Sequence, residues 1–91
     1  MQDHPLQSLL GQTVILDTAG PILYIGTLRE IAPGGFWLES ADLHDCRDGH
    51  AGKELYLVES RQHGVRINRE RVYVLREAVI SVSRLDDVVM D

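Results

Sequence analysis

Ile22 to Leu43 reads ILYIGTLREIAPGGFWLESADL, two apolar runs either side of Pro33-Gly34-Gly35. Proline and glycine together mark a turn, because one presets φ and the other tolerates any φ. The first run, Ile22–Ala32, is rich in β-branched and aromatic residues and predicts a long strand. Gly26 interrupts it, and a glycine inside a strand marks a sharp bend or the close approach of another backbone. The second run, Phe36–Leu43, predicts the returning strand. Phe36 and Trp37 are neighbours and therefore face opposite sides of a sheet. One belongs in the core, the other at the kind of half-exposed surface where interfaces place aromatics.

Upstream, Gln12–Asp17 (QTVILD) predicts a preceding strand, joined through Thr18-Ala19-Gly20-Pro21, so that three strands form an antiparallel meander. Before it, His4–Leu10 predicts a short helical turn with Leu6, Leu9 and Leu10 on one face, Asp3 as its cap and Gly11 as its stop. Downstream, Lys53–His63 (KELYLVESRQH) favours a helix, with Leu55, Val58 and Gln62 on one face, Tyr56 beside them and Gly64 just past its end. A strand using Tyr56 and Val58 at period two is the alternative. Val65–Arg76 and Val79–Leu85 predict the last two strands, with a tight turn at Glu77-Ala78 and a tail over 86–91. The expected fold is mostly β: a five-stranded, strongly bent antiparallel barrel with a short N-terminal helix and an inserted helix, as one domain over 1–91.

The composition is that of a globular chain, 44% hydrophobic and 25% charged, without an apolar run near the length of a membrane helix. The start, MQDHPLQ, lacks the pattern of a secretory signal, and the single cysteine excludes an internal disulfide, so a cytoplasmic location is expected. A net charge of −5 argues against a general polyanion binder. The charge is uneven, however: Arg61, Arg66, Arg69, Arg71 and Arg76 lie in a window holding the single acid Glu70.

The order of elements resembles the Sm-like family. Leu9-Leu10-Gly11-Gln12-Thr13-Val14 resembles the start of that family's first strand, and Gly20 with Gly26-Thr27-Leu28 its first motif. Gly35-Phe36-Trp37-Leu38 resembles its third strand, and Leu75-Arg76-Glu77-Ala78-Val79-Ile80-Ser81-Val82 its second motif. The resemblance covers 6–43 and 72–85, and leaves about 44–68 as an insertion between strands three and four. It implies an SH3-like barrel, a homo-oligomeric ring of six or seven subunits, RNA as a partner, and no enzymatic activity or cofactor. The uridine-reading residues of the family are missing: the turn Ala32-Pro33-Gly34-Gly35-Phe36 has neither the aspartate nor the asparagine, and the second motif's glycine is Glu77. The Tyr-Lys-His run of the bacterial host-factor relatives is also absent.

Two stretches carry reactive side chains. Leu43–His50, LHDCRDGH, contains two histidines, two aspartates and the lone cysteine. No second cysteine stands anywhere, and His44, Cys46 and His50 lack the spacings that hold zinc on rigid elements. A polar surface loop is the expectation, with neither metal nor catalysis. The arginine window is the stronger signal, since guanidinium forks fit phosphate oxygens without reading sequence. Arg66, Arg69, Arg71 and Arg76 are the candidate nucleic-acid contacts. Ion pairing with the chain's fourteen acids is the competing use. Two functions follow as expectations: a ring-forming Sm-like protein touching RNA electrostatically, or an assembly module on a small β-barrel that binds no nucleic acid.

Overall fold

A computed structural model describes residues 5–48 and 52–90. Five strands form one antiparallel sheet: β1 (Thr13–Thr18), β2 (Ile22–Ala32), β3 (Gly35–Asp45), β4 (Arg69–Leu75) and β5 (Val79–Arg84). Their order across the sheet is β4-β3-β2-β1-β5, which makes β4 and β5 its two edges. One α-helix, α1 (Lys53–His63), lies between β3 and β4. The protein is thus mostly β, and none of the helices described is long and apolar enough to cross a membrane.

The sheet is bent by two irregularities in the β2–β3 pairing. Ile25 pairs with Asp42 and Thr27 with Glu39, so Ser40 and Ala41 together oppose Gly26. Ser40 adopts φ 50°, unusual for a residue with a side chain. A Cβ on Gly26 would lie 2.9 Å from the Ala41 Cβ and 3.2 Å from the Glu39 carbonyl oxygen. The glycine therefore lets two backbones touch at the bend, as its position in the strand predicts.

Ser40 also switches which β3 side chains face which way. Phe36 and Leu38 point into a core with Val14, Leu16, Leu28, Ala41 and Val74. Beyond the bend Asp42, His44 and Cys46 alternate onto the opposite face. There a second core forms from Ile15, Leu23, Ile25, Tyr56 and Leu85, with Cys46, Leu57, Val65 and Val88 packed against it. Three consecutive β1 residues, Val14, Ile15 and Leu16, are buried because that strand has a core on each side.

Several expectations need correction. The N-terminal helix shrinks to one 3₁₀ turn, Gln7–Leu9, and its expected cap Asp3 lies outside the described residues. The fourth strand starts at Arg69 rather than Val65, because 65–68 cross from α1 back to the sheet. The tail is not free throughout: Leu85–Asp87 form a 3₁₀ turn that buries Leu85. The helix has its expected bounds, and Gly64 follows it at φ 94°, but it turns a different face inward. Tyr56 and Ser60, one turn apart, are buried, whereas Leu55 is 50% exposed. The reason is polar: Tyr56 has a buried partner on β3.

Candidate functional site

Backbone N–H and C=O groups along an unpaired edge strand form a ready template for another strand. β4 and β5 do not pair with each other among the described residues, so the chain carries two such edges. On β4, alternation puts Arg69, Arg71, Tyr73 and Leu75 on one face, opposite Ala41, Glu39, Trp37 and Gly35 of β3. The Arg71 guanidinium stands 4.6 Å from the centre of the Trp37 ring, and Tyr73 packs against that indole at 4.8 Å. Phe36 is the core member of the aromatic pair and Trp37 the surface member.

The four candidate arginines do not make one site. Arg69 and Arg71 share the start of β4, and Arg66 lies exposed in the crossing before it. Arg76 follows the other end of the strand, roughly 17 Å further on at the rise of a strand. Its Nη1 donates to the Pro33 carbonyl at 3.3 Å, and its backbone N–H to Gly34 at 2.9 Å. That places Arg76 on the β2–β3 turn, beside Pro33, Gly34 and Glu77. None of the four forms an ion pair with an acid among the described residues. Glu39, opposite Arg71, pairs instead with Arg29 at 3.2 Å. Arg69 donates to the carbonyl of its neighbour Asn68.

The β5 edge is apolar at its start and acidic past its end. Ile80 is 63% exposed, as is 56% of Leu75 at the end of β4. Pro5, Leu6, Phe36 and Val79–Val82 line a shallow groove along β5. After the strand come Asp86 and Asp87, with Arg84 held by Asp87 at 2.9 Å.

No protein-family profile and no curated protein matches the chain by sequence. A solved structure does match by fold. The chain is similar to one from the crystal structure of the NatC complex bound to CoA, with a TM-score of 0.57 and 17% identity, over 90% of this chain and 86% of that one. The likeness is one of fold.

LHDCRDGH is not a loop throughout. Leu43–Asp45 end β3, and Cys46–Asp48 make a 3₁₀ turn. His44 stacks on Tyr56 with ring centres 3.6 Å apart and planes 7° from parallel. Cys46 packs against the second core, and burial raises its thiol pKa, which favours the protonated form. Arg47 folds back on Asp45: its side-chain and backbone N–H groups lower that carboxyl to about 2. Among the described residues no three His, Cys, Asp or Glu side chains gather as a metal site. His50 lies outside those residues.

A polar cluster that sequence reasoning missed anchors the insertion. The Tyr56 hydroxyl donates to Asp42 Oδ2, and Asn68 Nδ2 donates to Asp42 Oδ1 at 3.0 Å. The same Asn68 amide accepts from the Leu43 N–H at 2.9 Å and donates to the Leu43 carbonyl at 3.1 Å. It thereby continues the β3–β4 ladder beyond the strand. Burial, then the hydrogen bond to Asp42 and its charge, raises the Tyr56 phenol well above its ordinary range. Lys53 reaches Asp17 at 2.6 Å and Arg61 the Val88 carbonyl at 2.8 Å, fixing both ends of α1. These groups tie α1 to the sheet and to the chain's end.

Proposed function

We propose that this chain is a non-enzymatic, Sm-like assembly subunit that joins neighbouring chains through its free sheet edges. The observation that carries the reading is the pair of open edges, each with a large exposed apolar residue, Leu75 by β4 and Ile80 on β5. A monomer gains nothing from leaving such edges bare, and natural sheets usually blunt them. Pairing of one edge with the opposite edge of the next copy is a heterologous contact, which closes into a ring where the rotation allows. The fold likeness to a chain of the NatC complex supports membership of an assembly. The two cores and the anchored α1 give that assembly a rigid unit.

RNA binding through Arg66, Arg69, Arg71 and Arg76 is the second reading, favoured by the absence of acid partners for them among the described residues. Its contacts would be electrostatic, and binding to a generic single-stranded RNA would fall steeply as salt rises. The test of the first reading is substitution of exposed edge residues. Leu75→Asp and Ile80→Asp should each lower the sedimentation coefficient toward that of a single chain while leaving the melting temperature nearly unchanged. Unaltered sedimentation in both variants would refute assembly through these edges.

A further inference from the structure

The chain's single tryptophan and one of its three tyrosines join neither core. Phe36 and Tyr24 pack in the first core and Tyr56 in the second, which leaves Trp37 and Tyr73 as the aromatics of the surface. They are cross-strand neighbours on β3 and β4, with ring centres 4.8 Å apart and planes tilted by 48°. The Pro33-Gly34-Gly35 turn holds the tyrosine in place. A Cβ built on Gly34 would lie 3.0 Å from the Tyr73 hydroxyl oxygen, and one built on Gly35 3.0 Å from the Tyr73 Cζ. Two glycines in succession let that ring rest on the turn. The Arg71 guanidinium lies 4.6 Å from the centre of the indole. A guanidinium over an indole is attracted by the ring and keeps its N–H donors for other partners.

We propose that Trp37, Tyr73 and Arg71 form a docking surface for an acidic segment of a partner protein. An apolar side chain of that segment rests on the two rings, and a neighbouring carboxylate takes the Arg71 fork. Tryptophan, tyrosine and arginine are the residue types that carry most of the energy at protein interfaces, and rigid rings lose little entropy when covered. Charge complementarity selects the partner's sign. Arg71 has no acid partner among the described residues, because Glu39 across from it pairs with Arg29 at 3.2 Å. Arg69, two residues earlier on the same face, donates only to the Asn68 carbonyl. Glu30, which has no ion pair among the described residues, stands on β2 at the other side of Trp37. The partner's carboxylate therefore belongs on the β4 side, within reach of both arginines. A nucleic acid fits less well. A stacking base would displace the guanidinium from the indole, and Glu30 and Glu39 would face its phosphates. The surface is a face of the sheet rather than an edge, so it stays open whether or not β4 pairs with another strand.

Trp37 is the chain's only tryptophan, so its fluorescence reports on this surface directly. The probes are a short peptide of glutamates around a phenylalanine, the same peptide with lysines in place of the glutamates, and oligouridine. The acidic peptide should shift the emission saturably, whereas the lysine peptide and oligouridine should not. Binding of the acidic peptide should weaken between about 0.05 and 0.5 M salt. Arg71→Gln should bind it at least about tenfold more weakly, with the melting temperature and the sedimentation coefficient unchanged. Should that substitution lower the melting temperature, Arg71→Lys, which keeps the charge and loses the fork, should still bind more weakly than the unmodified chain. An emission that none of the probes shifts overturns the proposal. So does an equal response to the lysine peptide, or acidic-peptide binding that Arg71→Gln and Arg71→Lys both leave intact. A tighter response to oligouridine than to the acidic peptide assigns the surface to nucleic acid and overturns it too. Each of these results can be read on a single chain or on an assembly, so none depends on pairing at the sheet edges.

Discussion

The Tyr56 hydroxyl, on the inserted helix, donates a hydrogen bond to the buried carboxylate of Asp42 on β3. Asp42 is 1% exposed and takes its second hydrogen bond from Asn68. Tyr56→Phe keeps the ring and its stack on His44 but strands one carboxylate oxygen without a donor. A loss of about 1–3 kcal/mol is expected, seen as a drop of roughly 5–20 °C in melting temperature for a domain of this size. An unchanged melt would mean that the bond does not hold α1 down.

The same phenol sets an alkaline limit. Its folded pKa is raised above the ordinary value of about 10. A raised folded pKa means that the native state holds the proton more tightly. The stabilisation is complete below about pH 10 and is lost as the pH climbs toward the folded value. Stability of the unmodified chain should therefore fall above about pH 10, and Tyr56→Phe should flatten that fall. Equal slopes for the two chains in urea melts at pH 9 to 11 would contradict it.

Gly26 meets the Ala41 Cα at 3.1 Å measured from a built Cβ, and the Glu39 carbonyl at 3.2 Å. Backbone cannot move aside as a flexible side chain would. Gly26→Ala should cost about 1–3 kcal/mol by forcing the β2–β3 bend apart. Adding Ala41→Gly removes the 2.9 Å Cβ contact and should recover part of the loss. Denaturant midpoints of the single and double variants check both.

Gly64 sits at φ 94°, ψ 169°, a region that only glycine populates readily. A built Cβ there meets nothing within 4 Å, so the cost of substitution is conformational. Gly64→Val should lower stability by about 1–3 kcal/mol, and Gly64→Asn should not rescue it, because asparagine tolerates a different positive-φ region. A melting temperature unaltered by valine would contradict the observed junction.

The hairpin around Pro33-Gly34-Gly35 was legible because its signals are local: Ile22–Ala32 is a strand with those same bounds, and Gly26 is its point of contact. The bounds of α1 were legible for the same reason, in Glu54 at its start and Gly64 after its end. Its buried face was not. Leu55 and Val58 are the apolar choice by spacing, yet Tyr56 wins because Asp42 waits for it. Asp42 faces the helix only because Ser40, a residue with no turn signature, takes φ 50° and reverses the alternation of β3. A strand read at period two misses that reversal, and with it the inward turn of His44 and Cys46. The arginines on β4 followed simple alternation, whereas the separation of Arg76 depends on where the strand ends.

Assembly through the sheet edges fixes the size of the unmodified chain in solution. Sedimentation velocity at tens of micromolar should find a closed multiple of the 10.2 kDa chain, as the head-to-tail pairing of β4 with β5 requires. A single species of 10.2 kDa across that range would contradict it.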